Sequence, residues 1–240
     1  MRRIAIMQPY YFPYLGYWQL MGSVDVFVIF DDVNYIKRGW INRNLIRLSN
    51  GEIAYIRLPV SKVSQNRLIC EHELSSFDEA AVKVFKTLDY NYKKRPYFEG
   101  CMEVVKEVFD TDVRNLAAFL SRQIEILSRY FRFDTKIVRS SELDNNKSLS
   151  AQEKIIDIVK LLDGDVYINS SGGRELYDPA AFQREGIELM FLEPSLPEYD
   201  QGFPDFVPSL SVLDILMNCC QDEVAAMGRH HELVNPMAFE

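Results

Sequence analysis

From residue 135 onward, short apolar runs and amphipathic helical patterns take turns along the chain. The spacing predicts a strand over 135–139, a helix over 150–162 and a strand over 165–169. It then predicts a short helix over 179–185, a strand over 187–192 and a helix over 211–220. Strands that alternate with helices are joined by crossovers, and crossovers make neighbouring strands parallel. This holds the chain to an α/β class with a mostly parallel, layered, Rossmann-like sheet. The N-terminal part repeats the theme, with strands over 3–7 and 24–30 around a short helix at 15–22. Residues 53–60 alternate as a third strand, and 69–74 alternate more weakly as another. Helical spacing at 78–90, 96–109 and 112–131, with no strand between, predicts a helical insertion over about 76–132. The tail over 228–240 is expected to fray, and 240 residues suit a single domain.

In open α/β sheets, ligands bind beyond the carboxyl ends of the strands. The chemically unusual segments of this chain all follow predicted strands. The first is followed by Gln8-Pro9-Tyr10-Tyr11-Phe12-Pro13-Tyr14, with Tyr17 just beyond. The second runs into Asp31-Asp32 and on to Lys37, Trp40, Asn42, Arg43 and Asn44. Ser140-Ser141-Glu142 follows 135–139, and Ser170-Ser171-Gly172-Gly173, with Tyr177 soon after, follows 165–169. Tyr199 and Gln201 come after the last predicted strand. Five loops are therefore expected to converge on one edge.

Aromatics beside fixed-geometry prolines make a shaped loop, and amides and cations beside them suit a small polar ligand. Gln8, Lys37, Asn42 and Arg43 are the candidate catalytic residues. The candidate substrate contacts are Tyr10, Tyr14, Tyr17, Asp31, Asp32, Trp40, Asn44, Ser170, Ser171, Gly172, Gly173, Tyr177, Tyr199 and Gln201. Lys37, Arg38 and Arg43 interleaved with Trp40, Asn42 and Asn44 suit phosphate gripping and ring stacking. The Ser170–Gly173 loop has two open readings, a phosphate cradle built on backbone amides or a plain strand-to-helix turn. It is not a Walker A loop, because no G-K-[ST] follows. Asp31 and Asp32 are oxygen ligands of the kind Mg²⁺ takes, but adjacent strand residues point apart, and no metal site is assigned.

Net charge is −8 and the pI about 5.1, which argues against nucleic acid as the main partner. The N-terminus has no apolar segment of a secretory signal. No apolar run approaches the roughly 20 residues that span a bilayer. A cytoplasmic protein without membrane insertion is the expectation. Cys70, Cys101, Cys219 and Cys220 form no C-x-x-C pair, and His72, His230 and His231 do not join them at zinc spacing. No G-x-S-x-G elbow occurs, and no nucleophilic triad can be assembled.

Three blocks together carry a family resemblance. They are Met7-Gln8-Pro9-Tyr10-Tyr11-Phe12-Pro13-Tyr14-Leu15-Gly16-Tyr17, Asp31-Asp32-Val33 with Tyr35, and Gly39-Trp40-Ile41-Asn42-Arg43-Asn44. With Tyr199, Gln201 and the late segment 210–216, they resemble the WbqC-like family over almost the whole chain. Many members carry His-Gln-Pro where this chain has Met7-Gln8-Pro9, so no histidine role carries over. The resemblance implies a cytoplasmic enzyme of bacterial O-antigen and related surface-glycan synthesis. Its expected reaction is amide formation, by acyl or aminoacyl transfer, on a nucleotide-linked amino sugar. A fainter similarity links Tyr14-Leu15-Gly16-Tyr17 to the H-x-G-H element of adenylating α/β enzymes such as pantothenate synthetase. That similarity would bring ATP with Mg²⁺ as cofactor. A glycosyltransferase using a nucleotide-sugar donor and a non-catalytic scaffold of a glycan-assembly complex are the alternatives.

Overall fold

A computed structural model describes residues 1–236. Strand β1 (Arg3–Met7) leads into helix α1 (Leu15–Gly22) and then β2 (Val26–Ile29). A hairpin of β3 (Arg43–Arg47) and β4 (Ile53–Arg57) follows. Three helices come next, α2 (Phe77–Tyr92), α3 (Phe98–Phe109) and α4 (Leu116–Tyr130). The chain then alternates through β5 (Lys136–Arg139), α5 (Ala151–Leu161), β6 (Val166–Ser170), α6 (Pro179–Arg184) and β7 (Glu188–Pro194). It closes with α7 (Val212–Asn218), α8 (Gln221–Met227) and β8 (His231–Val234).

Six strands form one sheet in the order β5-β2-β1-β6-β7-β8, and the hairpin stands apart as a two-stranded sheet. All neighbours in the large sheet are parallel except β7 and β8. The α/β class with a mostly parallel layered sheet is therefore what the chain adopts. Because side chains alternate across a strand, each strand feeds two cores. Ile4, Ile6, Val26, Val28, Tyr167, Leu189 and Phe191 pack with Ile155, Ile158 and Val159 of α5 on one face. Ala5, Phe27, Ile29, Val166 and Ile168 pack on the other, with α1, α7 and the helical insertion. Every residue of α1 from Leu15 to Met21 is buried. Its Trp18 ring stacks on Phe131 at 5.0 Å and its indole N–H donates to the Pro13 carbonyl at 3.0 Å. One side chain thus joins the sheet layer to the insertion and fixes the loop before α1.

Three local expectations are corrected. Residues 69–74 hold a single 3-10 turn at Ile69–Glu71 rather than a strand. There Glu71 accepts from the Leu68 N–H at 2.8 Å, and the His72 ring lies 2.8 Å from the Leu68 carbonyl and 3.2 Å from the Ser64 nitrogen. Side chains thus satisfy backbone groups that a strand would offer to a neighbour. Arg43 and Asn44, expected in a loop, open strand β3. The tail does not simply fray from 228, because β8 pairs antiparallel with β7 and covers that edge; residues 237–240 lie outside the described residues.

Candidate functional site

The order of the sheet fixes where a cavity can form. The chain lays β2 and β5 on one side of β1, and β6 and β7 on the other. The crossovers leaving β1 and β6 therefore run in opposite directions and open a crevice at their carboxyl ends. A cavity of about 490 Å³ lies there. The loop after β1 supplies Gln8, Tyr10 and Tyr14, and the first turn of α1 supplies Gly16 and Tyr17. From β6 and the loop after it come Asn169, Ser170, Gly172, Gly173 and Tyr177. Trp40 and the start of α5, Ala151 and Gln152, complete the wall. A second cavity of about 300 Å³ shares Tyr10, Tyr14 and Trp40 and adds Pro13, Asn44 and Ser209. A wider depression of about 670 Å³ runs along the outer side of α2 from Asp78 to Asn91. One helix alone lines it, so it has no facing wall.

Among the described residues, no carboxylate, imidazole or cation lines the crevice cavity. Its polar character comes from phenols, amides and a hydroxyl. Burial raises the pKa of Tyr10, with the neighbouring Tyr14 adding to it. Burial likewise raises Tyr17, and raises Tyr14 against the opposing effect of a hydrogen bond with Ser170. All three phenols therefore stay protonated at neutral pH and can donate. Tyr17 donates to the Gln8 carbonyl at 3.2 Å. The Tyr14 ring lies across Gly16, where a Cβ would come within 2.6 Å of it. A side chain at 16 would thus have to push the Tyr14 ring aside. Tyr14, from the loop after β1, and Ser170, at the end of β6, both line the cavity. On the far wall, Asn169 donates to the Tyr177 hydroxyl at 2.9 Å and accepts from the Ser170 N–H at 2.8 Å.

Several candidates lie elsewhere. Asp31 and Asp32 are buried and turn toward the loop after β5, not into the cavity. Asp31 accepts from the Ser141 N–H at 2.8 Å and its hydroxyl at 2.7 Å. Asp32 pairs with Lys154 at 2.9 Å and Lys147 at 3.1 Å. Among the described residues, no group of three or more His, Cys, Asp or Glu side chains could hold a metal ion. Asn42 spends its amide on the hairpin, accepting from Tyr35 at 2.8 Å and donating to the Leu58 carbonyl at 2.9 Å. Arg43 donates to the carbonyls of Gly39 and Arg38 and lies 4.3 Å over the Tyr55 ring. Lys37 is exposed in the same turn. Asn44 borders the second cavity, but its Nδ2 is committed to the Tyr11 and Phe12 carbonyls at 3.1 and 2.8 Å. Ser171 opens a 3-10 segment and lines neither cavity.

Tyr199 and Gln201 belong to a separate network that pins the loop before α7. Tyr199 and Tyr92 each donate to Asp214 at 2.8 Å. Burial pushes the Asp214 carboxyl up, against those two hydrogen bonds. Gln201 accepts from Arg47 at 3.1 Å and holds both backbone groups of Val207 at 2.9 Å. Gln8, Asp31, Asn42 and Ser171 were expected to share one cleft, and of these Gln8 alone lines it. Asn169 and the α5 start are wall residues that the sequence reading does not reach. Asn169 had a readable signal, an amide ending the apolar run of β6.

An uncharacterized protein of Mycobacterium tuberculosis, Rv1507c, is 26% identical over 222 residues, covering 91% of this chain and 94% of that protein. No solved structure matches. The model of the WbqC-like protein family matches residues 8–226, from the glutamine that opens the cavity wall to the last turn of α8, and the chain belongs to that family.

Proposed function

We infer that the protein forms an amide on a nucleotide-linked amino sugar, by acyl or aminoacyl transfer, in the cytoplasmic stage of bacterial surface-polysaccharide synthesis. The observation that carries this reading is the uncharged, phenol- and amide-lined cavity at the crossover of β1 and β6. Its volume of about 490 Å³ is in the range of small-ligand sites. Protonated phenols, the Asn169 amide and backbone amides near Gly172 read hydroxyl-rich or phosphate-bearing ligands by donating to them. An amine attacking an already activated acyl carbon needs mainly positioning and a stabilised oxyanion. A site whose described lining holds no carboxylate or imidazole fits that chemistry. Glycosyl transfer is the second reading. It is less favoured because Asp31 and Asp32, its candidate metal ligands, are spent on Ser140, Ser141 and two lysines.

Thermal-shift screening against ATP, UDP-sugars and dTDP-sugars tests the reading, since stabilisation grows with ligand concentration over dissociation constant. A shift with an amino-sugar nucleotide, followed by amide product on adding an acyl donor, is the expected result. A shift with ATP as well would add adenylation of the acyl group. No shift with any of them would remove the reading and leave the scaffold alternative.

Arg43→Lys gives a finer test. The guanidinium bridges two carbonyls of the turn that carries Trp40, and an ammonium cannot reproduce that fork. Affinity for the stabilising nucleotide should fall by about 1–3 kcal/mol. The melting temperature should hardly change, because the turn lies outside both cores. Titration calorimetry and a melting curve separate the two effects.

A further inference from the structure

Charge is unevenly spread along this acidic chain. Residues 36–67 hold seven of its 27 Lys and Arg and one, Glu52, of its 35 Asp and Glu. Within that segment, Arg47 is the one cation that an ion pair joins to a carboxylate among the described residues, at 2.7 Å from Asp205. Strand register explains where the others stand. Arg43 pairs with Arg57 and Leu45 with Tyr55, while Asn44 pairs with Ile56. Asn44, Ile46 and Ile56 are buried, so the alternating set of Arg43, Tyr55 and Arg57 forms the outer face of the hairpin. Two arginines directly opposite each other repel. Here both lie against the same ring, 4.3 and 5.2 Å from the centroid of Tyr55. The Trp40 ring is 6.5 Å from Tyr55.

The same face exposes apolar surface. Ile36 is 47% exposed, and Trp40, Ile53 and Tyr55 are each 41% exposed. Isoleucine and aromatic rings set among unpaired cations gain little from water. An anionic bilayer surface satisfies both kinds of group. Its phosphates neutralise Lys and Arg, Trp and Tyr sit at headgroup level, and the isoleucines enter the acyl boundary. A nucleic-acid backbone would meet the cations but give the isoleucines nothing. All but one of the chain's 35 Asp and Glu lie outside this segment, so such a surface would meet few carboxylates from it. Among the described residues, no helix is long and apolar enough to cross a membrane, and surface adsorption through a hairpin requires none.

We propose that the outer face of the β3–β4 hairpin, with the turn carrying Ile36 and Trp40, docks the protein on anionic membrane surfaces. This goes beyond the catalytic reading and does not depend on it. Trp40 also lines both cavities, so docking sets their mouth at the headgroup layer.

Sedimentation with phosphatidylcholine vesicles, with and without phosphatidylglycerol, tests the proposal on the full chain. Binding is expected only to the anionic vesicles and should weaken as salt rises. The chain has two tryptophans, and Trp18 is fully buried. Quenching by brominated lipid therefore reports Trp40. Reversing two exposed cations of this surface in Lys37→Glu/Arg57→Glu should weaken binding by about tenfold or more. Ile36→Ser/Lys37→Glu, both outside the strands, should also weaken it and serves if the first variant is poorly folded. No binding to either vesicle, equal binding to both, or unaltered binding by the folded variants would overturn the proposal. So would binding of a single-stranded RNA, lost in the same variants, without vesicle binding.

Discussion

Lys154→Met is expected to lower the unfolding free energy by about 3–5 kcal/mol at neutral pH, the cost of stranding one member of a buried ion pair. The Lys154 and Asp32 side chains are each 6% exposed, and their charged atoms lie 2.9 Å apart. The ammonium also donates to the Asp32 backbone carbonyl at 2.8 Å. Methionine fills similar volume but leaves a buried carboxylate. Lys147 stays at 3.1 Å, but it is about half exposed and replaces only part of the loss. Adding Asp32→Asn removes the stranded charge, so the double variant should be more stable than the two single effects summed. The pH dependence follows from Asp32. Burial alone would raise its pKa, but hydrogen bonds from Ser140, Lys154 and Lys147 together hold it below the usual carboxylate value. A carboxyl lowered on folding stabilises the protein above its unfolded pKa. That stability is lost as pH falls through the folded value. The wild type should therefore weaken on acidification below about pH 4, and Lys154→Met should show a smaller acid-side loss. Urea unfolding across that range checks both. A Lys154→Met protein within about 1 kcal/mol of wild type would mean that the pair contributes no net stability.

The ion pair also shows what the sequence could and could not convey. Crossover alternation made the parallel sheet legible, because apolar period and helix spacing are local properties. Helix α1 was readable to its ends for the same reason. Strand β3 was not, because Arg43, Asn44 and Arg47 look like loop residues until Asn44 is seen holding the Tyr11 and Phe12 carbonyls. The cavity was legible where residues follow strands and point along them, as Gln8, Tyr10, Tyr14 and Ser170 do. It was illegible where a polar residue had a distant structural partner. Asp31 and Asp32 meet Ser140, Ser141, Lys147 and Lys154 more than a hundred positions away. Tyr199 meets Tyr92 across Asp214. No local pattern distinguishes a carboxylate awaiting a ligand from one already satisfied by a remote segment.

Gly172→Val should abolish binding of the phosphorylated ligand, by about a hundredfold or more, in a protein that still melts near the wild-type temperature. Gly172 is exposed at the cavity wall, and a Cβ built there meets nothing within 4 Å. Its φ lies outside the left-handed region, so valine costs little backbone strain. The branched side chain would instead occupy the approach to the amides that follow β6. Gly173 differs, because a Cβ there would stand 2.8 Å from Asn169 Nδ2. Asn169 holds both Tyr177 and the Ser170 N–H, so Gly173→Val should disturb the fold locally as well as the site. Ser171→Ala should have the smallest effect, since Ser171 lines neither cavity. Titration calorimetry and melting curves on all three variants give the ordering. Unchanged affinity in a folded Gly172→Val protein would return this loop to a plain strand-to-helix connection. The ligand would then be held by the remaining wall of the crevice, Gln8, Tyr10, Tyr14, Trp40 and Asn169.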